Sequence, residues 1–68
     1  MKVWVELTTI SERSISIDAN RIVVIDTINM GTLLHLHTGE ELRITVKESR
    51  EEVKRLIKEA YRKAKEEE

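Results

Sequence analysis

The sequence predicts an α+β fold: a five-stranded, mainly antiparallel β meander with one C-terminal amphipathic α-helix packed on a sheet face. Before Val46, apolar residues recur at every second position in several stretches, which is typical of strands with one buried face. After Ser49, the apolar period changes to three and four residues, as in a helix. Short connections with turn-forming residues separate the stretches and favour hairpins between sequence neighbours.

Three of the five predicted strands alternate strictly between apolar and polar residues. Their apolar positions are Val3, Val5 and Leu7, then Ile15 and Ile17, then Leu42, Ile44 and Val46. The other two strands differ, because residues 22–25 are apolar on both sides and Leu33 adds to the face opposite Leu34 and Leu36. Such strands need cover on both faces.

The connections follow from turn residues and from face parity. An odd-length loop places the apolar residues of the last two strands on the same side of the sheet, whereas an even one sets apolar against polar. We therefore expect a three-residue loop at residues 37–39, with Gly39 in the left-handed conformation. Two further turns are predicted at residues 29–31 and 18–20.

The helix carries its own start signal, a capping box. The Ser49 hydroxyl can accept a hydrogen bond from the backbone N–H of Glu52, while the Glu52 carboxylate can reach back to the N–H of Ser49. The stripe expected to face the core contains Val53, Leu56, Ile57, Ala60, Tyr61 and Ala64.

The outer side of the helix is charged, and its end sets the domain boundary. Glu51 with Arg55, and Glu59 with Lys63, are spaced to form ion pairs four residues apart. Residues 1–64 are expected to form a single domain, because 68 residues leave room for one core only. Residues 65–68 lack apolar side chains, so this charged tail is expected to fray.

Composition excludes several classes of protein. The chain has no cysteine, so disulfides and cysteine-bound zinc are excluded. Its apolar runs are too short for a transmembrane span or a signal peptide, which makes a cytoplasmic protein without membrane contact the expectation. The sequence has no cysteine nucleophile, no glycine-rich phosphate loop of the G-x-x-x-x-G-K type and no evident pair of catalytic acids, so we expect no catalytic residues and no cofactor.

A basic ridge on the helix raises the possibility of nucleic-acid binding. The ridge has four-residue spacing and consists of Arg50, Lys54, Lys58 and Arg62. Acidic residues lie beside it and the net charge of the chain is −1, which favours a solvated helix face over a phosphate-binding one.

The two histidines raise the possibility of a metal site. His35 and His37 share one face of the fourth strand, with Glu41 across the hairpin, and two imidazoles with a carboxylate can hold zinc. Alternation alone also places polar residues at these positions, so an interface or solvent-facing role is favoured and no metal is predicted.

Three short motifs resemble the FlbD-like family of small bacterial flagellar-operon proteins. They are Asp18-Ala19-Asn20-x-Ile22, Thr32-x-Leu34-x-Leu36-x-x-Gly39-Glu40 and Val46-Lys47-Glu48-Ser49-x-x-Glu52-Val53-x-x-x-Ile57. The resemblance covers about residues 1–60 and implies a cytoplasmic, motility-associated protein without catalytic residues to transfer. The chain departs from the family at residues 11–13, where members commonly have a glycine-containing turn, and in its longer charged tail.

Two other interpretations remain open. The region from the third strand to the helix also resembles part of the LytTR DNA-binding domain, although the strands that would complete that domain are absent. The helix is rich in strong helix formers, as in designed proteins, so a designed oligomeric scaffold without a native ligand is a further alternative.

The function predicted from these features is a noncatalytic, self-assembling or protein-binding module. One helix cannot cover both faces of the sheet, and monomers rarely leave a large apolar patch in water. We therefore expect a homo-oligomer, in which Leu33 and the outward-facing member of the pair Val23 and Val24 meet their symmetry mates. The candidate interface residues are Trp4, Val23, Ile25, Leu33 and His35.

Overall fold

A computed structural model describes residues 2–66 and confirms the α+β class. Within that range the chain forms five strands and one long helix. Their bounds are β1 Trp4–Thr8, β2 Ser14–Asp18, β3 Ile22–Ile28, β4 Gly31–His37, β5 Glu41–Val46 and α1 Arg50–Glu66. A short 3₁₀-helix, Ala19–Arg21, connects β2 to β3.

The strands form two antiparallel sheets, so the prediction of one five-stranded meander was wrong. The first sheet pairs β1 with β2, and the second has the order β3, β4, β5. The described strands include no pairing between β2 and β3. The predicted meander therefore breaks in its middle, at the connection between these two strands.

Asp18 explains this break. Its carboxylate caps the 3₁₀-helix, because Oδ1 accepts hydrogen bonds from the backbone N–H of Asn20 at 3.1 Å and of Val3 at 3.2 Å. The next residue, Ala19, is buried and donates its N–H to the carbonyl oxygen of Val3 at 2.7 Å. The chain is thus held against the start of β1 where a tight hairpin was expected, and β3 begins in a separate sheet.

The two sheets meet at the ends of β1 and β5. Thr9 forms an isolated antiparallel bridge with Val46, and Lys47 donates its N–H to the carbonyl oxygen of Thr8 at 2.8 Å. Glu48 lies at the same junction, where both of its carboxylate oxygens accept from the N–H of Thr8 at 3.0 Å. This junction places β1 beside β5, which a simple meander would keep at opposite edges.

The core lies between the two sheets and the helix. Its buried apolar residues are Val3, Val5, Leu7, Ile17, Ala19, Leu34, Leu36, Val46 and Val53. The helix contacts β1 and β3, one strand from each sheet, so it packs across both sheets rather than on the face of one.

The helix stripe is confirmed with one exception. Val53 is fully buried, and Leu56, Ile57, Ala60 and Ala64 are half-buried against the core. Tyr61 was expected to join them but is 42% exposed, and its hydroxyl donates to Oδ1 of Asn20 at 2.5 Å. Its ring therefore lies at the edge of the helix contact, where the polar end reaches the 3₁₀-helix.

A second correction concerns the end of β5. Leu42 was expected to be buried because it alternates with Ile44 and Val46, yet it is 46% exposed. It pairs with Leu36 on the correct face, but it lies next to the hairpin loop, at the end of the strand far from the junction with β1. Correct face parity does not by itself bury a residue at the end of a sheet.

The hairpin between β4 and β5 has the predicted odd-length loop. His37 pairs with Glu41, so the loop is residues 38–40, one position later than expected. Gly39 has a φ of 98°, as the prediction of a left-handed glycine requires. The expected parity is also present, since Leu34 pairs with Ile44.

The Ser49 cap at the start of the helix is confirmed, but the predicted return bond from the Ser49 N–H to the Glu52 carboxylate is not among the hydrogen bonds of the described residues, and the ion pairs are not those predicted. Glu52 donates its backbone N–H to Oγ of Ser49 at 3.1 Å. The Glu52 carboxylate binds Arg55 three residues on, with the Nε atom at 2.6 Å, instead of Glu51 binding Arg55. The helix extends to Glu66; residues 67 and 68 of the predicted tail lie outside the described residues.

Candidate interaction surfaces

The pairing register assigns every side chain of the three-stranded sheet to one of two faces. The inner face packs on the core, and it carries the pairs of Ile25 with Leu34 and of Leu34 with Ile44. We call the opposite side the outer face. Its residues are Val24, Asp26, Ile28, Leu33, His35, His37, Glu41, Arg43 and Thr45.

The outer face has an apolar centre between groups of opposite charge. Leu33 on β4 pairs with Asp26 on β3, and His35, the next outer residue of β4, pairs with Val24 on β3 and with Arg43 on β5. Val24 is 45% exposed. The acid and the base therefore lie on the two strands that flank β4, and both are exposed.

A β-bulge in β3 determines which of its residues belong to this face. The register shifts between Ile22 and Val24, so Ile22 and Ile25 both face the core although they are three residues apart. Val23 lies in the bulge and is 61% exposed. Ile25 was predicted to belong to the interface, but its inner-face position separates it from Leu33.

The remaining interface candidates lie in two places. Leu33 and His35 are neighbours on the outer face, and Nδ1 of His35 is 3.6 Å from Oε1 of Glu41. Trp4 belongs to β1 in the other sheet, where it is 56% exposed and Nζ of Lys2 lies 5.6 Å from the centre of its ring. The five predicted residues therefore do not form one continuous patch.

The predicted set of interface residues lacked Asp26, Ile28 and Arg43, which the structure places on the outer face. The position of Arg43 could have been predicted from the sequence. An odd-length hairpin loop determines the register between β4 and β5, and that register places Arg43 opposite His35. The positions of Asp26 and Ile28 could not be predicted in this way, since the bulge shifts the parity of β3.

A groove of about 570 Å³ runs between β3 and the first half of α1. Ile25 and Ile57 form its apolar floor, because both are half-buried against the core. Its rim consists of the exposed helix residues Glu51, Lys54, Arg55 and Lys58. Among the described residues, Lys54, Lys58 and Glu51 have no ion-pair partner, so the rim offers a ligand two positive charges and one negative charge.

The predicted basic ridge is divided by its ion pairs. Lys54 and Lys58 are free, whereas Arg62 is bound by the carboxylates of Glu59 and Glu66. The hydrogen bond and charge of Arg62 lower the pKa of Glu59, and the same contacts raise the pKa of Arg62. A guanidinium held by two carboxylates is poorly suited to bind phosphate, so the usable ridge is shorter than the sequence suggested.

The described residues do not bring a group of three metal ligands together around the histidine pair. His35 and His37 lie on one face of β4, as expected, and Glu41 approaches His35. Among residues 2–66, no group of three or more histidine, cysteine, aspartate or glutamate side chains is arranged to hold a metal ion. Within the same range, every buried side-chain nitrogen or oxygen has a hydrogen-bond partner.

Comparisons of the chain with protein-family models, curated proteins and solved structures found no match. The helix of the described residues is also too short and too polar to cross a membrane. The outer face and the groove beside β3 are the candidate binding surfaces of the described residues.

Proposed function

We propose that this chain is a noncatalytic protein-binding module that self-associates through the outer face of its three-stranded sheet. The observation that carries the proposal is the apolar centre of the outer face, formed by Val24, which is 45% exposed, and the half-buried Leu33. The helix packs against β1 and β3 on the core side, so it leaves this face uncovered. Apolar residues on an uncovered sheet face are typical of an association surface.

The charges beside this centre favour a second copy of the chain as the occupant. A two-fold axis running along β4 between two facing sheets places β3 of each copy opposite β5 of the other. Asp26 of one copy then lies near Arg43 of its partner, and the same contact occurs twice. Opposite charges arranged in this way favour the symmetric pairing and disfavour other partners.

The size of the face sets the expected strength of association. Three strands of seven residues or fewer present roughly 350 Å² on one face, at the usual strand spacing and rise. Two such faces bury about 700 Å², which is less than a stable interface normally requires. We therefore expect a weak dimer whose population rises with concentration.

Analytical ultracentrifugation tests the proposal directly. The unmodified chain, of 8.0 kDa, should change from monomer to dimer between about 10 and 500 μM, as expected for a small interface. Leu33→Lys should abolish the dimer, because it buries an unpaired charge at the centre of the contact. Trp4→Thr should leave the dimer intact, since Trp4 lies in the other sheet.

A charge exchange provides a more specific test. Asp26→Arg and Arg43→Asp should each weaken the dimer, because each places like charges together across the two-fold axis. The double variant restores opposite charges and should recover association. A monomer at every concentration, or a double variant no better than the single ones, would contradict the proposed arrangement.

The cellular setting of this module is a separate part of the proposal. The resemblance to the FlbD-like family supports a cytoplasmic role near the bacterial flagellum, with a motility protein as a further partner. A scaffold designed to assemble would use the same outer face without such a partner. Nucleic-acid binding is less favoured, because Glu59 and Glu66 neutralise one of the four ridge cations.

A further inference from the structure

We propose that the groove between β3 and α1 binds an extended peptide segment that is acidic at both ends and apolar at its centre. The segment adds to β3 as a fourth strand. This surface is separate from the outer face, because it uses the edge of the sheet and the helix. Either proposal can therefore fail without the other.

The backbone of β3 provides the first argument. β3 is seven residues long and pairs only with β4 among the described strands, which makes it an edge strand. An edge strand has unpaired N–H and C=O groups that can pair with an added strand. The bulge at Val23 bends its first part, so residues 24–28 form the regular stretch that an added strand can follow.

The side chains around the groove define the composition of the segment. A strand added to β3 directs alternate side chains toward the helix. A central apolar side chain on that side would lie on the floor formed by Ile25 and Ile57. The residues two positions before and after it would approach the rim, where Lys54 and Lys58 are free to bind carboxylates.

The same geometry favours a peptide over a nucleic acid. The floor of the groove is aliphatic, and its lining residues include neither Trp4 nor Tyr61 nor either histidine. Binding of single-stranded nucleic acid commonly depends on aromatic side chains that stack with bases. A groove with an aliphatic floor and two free lysines fits apolar and acidic side chains better.

A blocked heptapeptide, Thr-Glu-Val-Ile-Val-Glu-Thr, is the probe for this site. In an added strand its isoleucine and both glutamates face the helix, and its valines face the outer side. Titration into the ¹⁵N-labelled protein should shift the amide signals of residues 24–28 and of the helix residues that line the groove. Affinity should decrease as salt increases, because two ion pairs contribute to binding.

Matched variants separate charge from backbone pairing. Lys54→Glu with Lys58→Glu should weaken binding at least about tenfold, because both carboxylates then meet like charge. Lys63→Glu with Lys65→Glu changes the net charge equally on the same helix, away from the groove, and should have little effect. A peptide with lysine for both glutamates, or with proline for the isoleucine, should not bind.

Other outcomes would overturn the proposal. Equal losses for the two double-lysine variants would show that net charge, and not the groove, attracts the peptide. Amide shifts confined to Leu33 and His35 would place the peptide on the outer face. Displacement of the peptide by a short single-stranded oligonucleotide with higher affinity would assign Lys54 and Lys58 to phosphate binding instead.

Discussion

The backbone geometry at Gly31 leaves no room for a side chain. It has a φ of 146°, and a Cβ atom added there would lie 2.2 Å from the carbonyl oxygen of Val46. Gly39 also has a positive φ, of 98°, but the space around it is open. A side chain at Gly39 would be unfavourable only because of the positive φ, whereas a side chain at Gly31 would also overlap the backbone of Val46.

Substitution of both glycines by alanine tests this difference. Gly39→Ala should lower the free energy of unfolding by about 1 kcal/mol, the usual cost of a side chain at positive φ. Gly31→Ala should lower it by at least about 3 kcal/mol, because backbone strain and steric overlap add to that cost. Urea unfolding followed by circular dichroism measures both values, and similar losses would contradict the close approach.

The carboxyl of Asp18 has a shifted pKa that links the stability of the fold to pH. Burial raises the pKa of this carboxyl, but hydrogen bonds from the N–H groups of Asn20 and Val3 and the charge of Arg21 outweigh that effect, so its pKa lies below the ordinary 3.8. A depressed pKa in the folded state stabilises the fold above the unfolded-state pKa. That stabilisation is lost as the pH falls through the folded-state pKa.

Asp18→Asn should therefore lower the melting temperature at neutral pH. The difference from the unmodified chain should shrink as the pH falls below 3.8, the ordinary value for this carboxyl. Thermal melts from neutral to acidic pH measure this dependence, with Asp26→Asn as an exposed control. A difference that is constant over the whole range would mean that the Asp18 charge does not contribute.

At the scale of elements, burial depends on where along a strand a residue lies. Leu34, in the middle of β4, is fully buried, whereas Leu42, near the start of β5, is 46% exposed, although both face the core side. Alternation in the sequence assigned both leucines to the core. Alternation determines which face of the sheet a side chain lies on, but not whether another element packs over it. The cover comes from the helix and from the other sheet.

The same change at these two leucines should have unequal effects. Leu34→Ala should lower the free energy of unfolding by about 2–5 kcal/mol, the range for a buried leucine. Leu42→Ala should lower it by less than about 1.5 kcal/mol, because much of its side chain already contacts water. Chemical denaturation measures both, and equal losses would show that Leu42 is buried in solution, for instance in an oligomer.

The helix follows its local signals more closely than the strands do. The cap at Ser49, the start at Arg50 and the buried position of Val53 were all predicted from residue types and spacing. Tyr61 departs from the pattern because its hydroxyl binds Asn20, a residue of the 3₁₀-helix that sequence reasoning treated as a simple turn. This contact between distant elements places Tyr61 at the margin of the helix stripe, although Ala64 beyond it is half-buried.

At the scale of the whole molecule, Glu48 connects both sheets to the segment that leads into the helix. Its carboxylate accepts from the N–H of Thr8 in β1, and its carbonyl oxygen accepts from Oγ1 of the buried Thr32 in β4, at 2.7 Å. Removal of the carboxylate leaves the N–H of Thr8 without this acceptor. A half-buried N–H group without a hydrogen-bond acceptor lowers the stability of the folded state.

Glu48→Ala should lower the free energy of unfolding by about 1.5–3 kcal/mol, as for hydrogen bonds to charged groups. Hydrogen exchange at the amide of Thr8 should also become faster, while exchange in the middle of β4 changes only with global stability. Glu40→Ala, an exposed change in a loop, is the control. Unchanged exchange at Thr8 would show that Glu48 does not hold the junction.

The sequence by itself determined the α+β class, the capped helix and the odd-length hairpin at Gly39, because each depends on residues close together in the chain. Alternation and helical spacing report which residues share a face. They also identified Leu33 and His35 as neighbours on one side of a strand. These features require no knowledge of the elements against which they pack.

Only the tertiary structure decided how the elements are arranged. The break between β2 and β3 depends on Asp18 binding the N–H of Val3, fifteen residues earlier. The bulge at Val23 moves Ile25 to the core, and with that shift Asp26 joins the outer face. The Asp18 contact stabilises the fold only when Val3 is already in place, and the bulge is defined only by the pairing of β3 with β4, so neither can be derived from residue types along one segment.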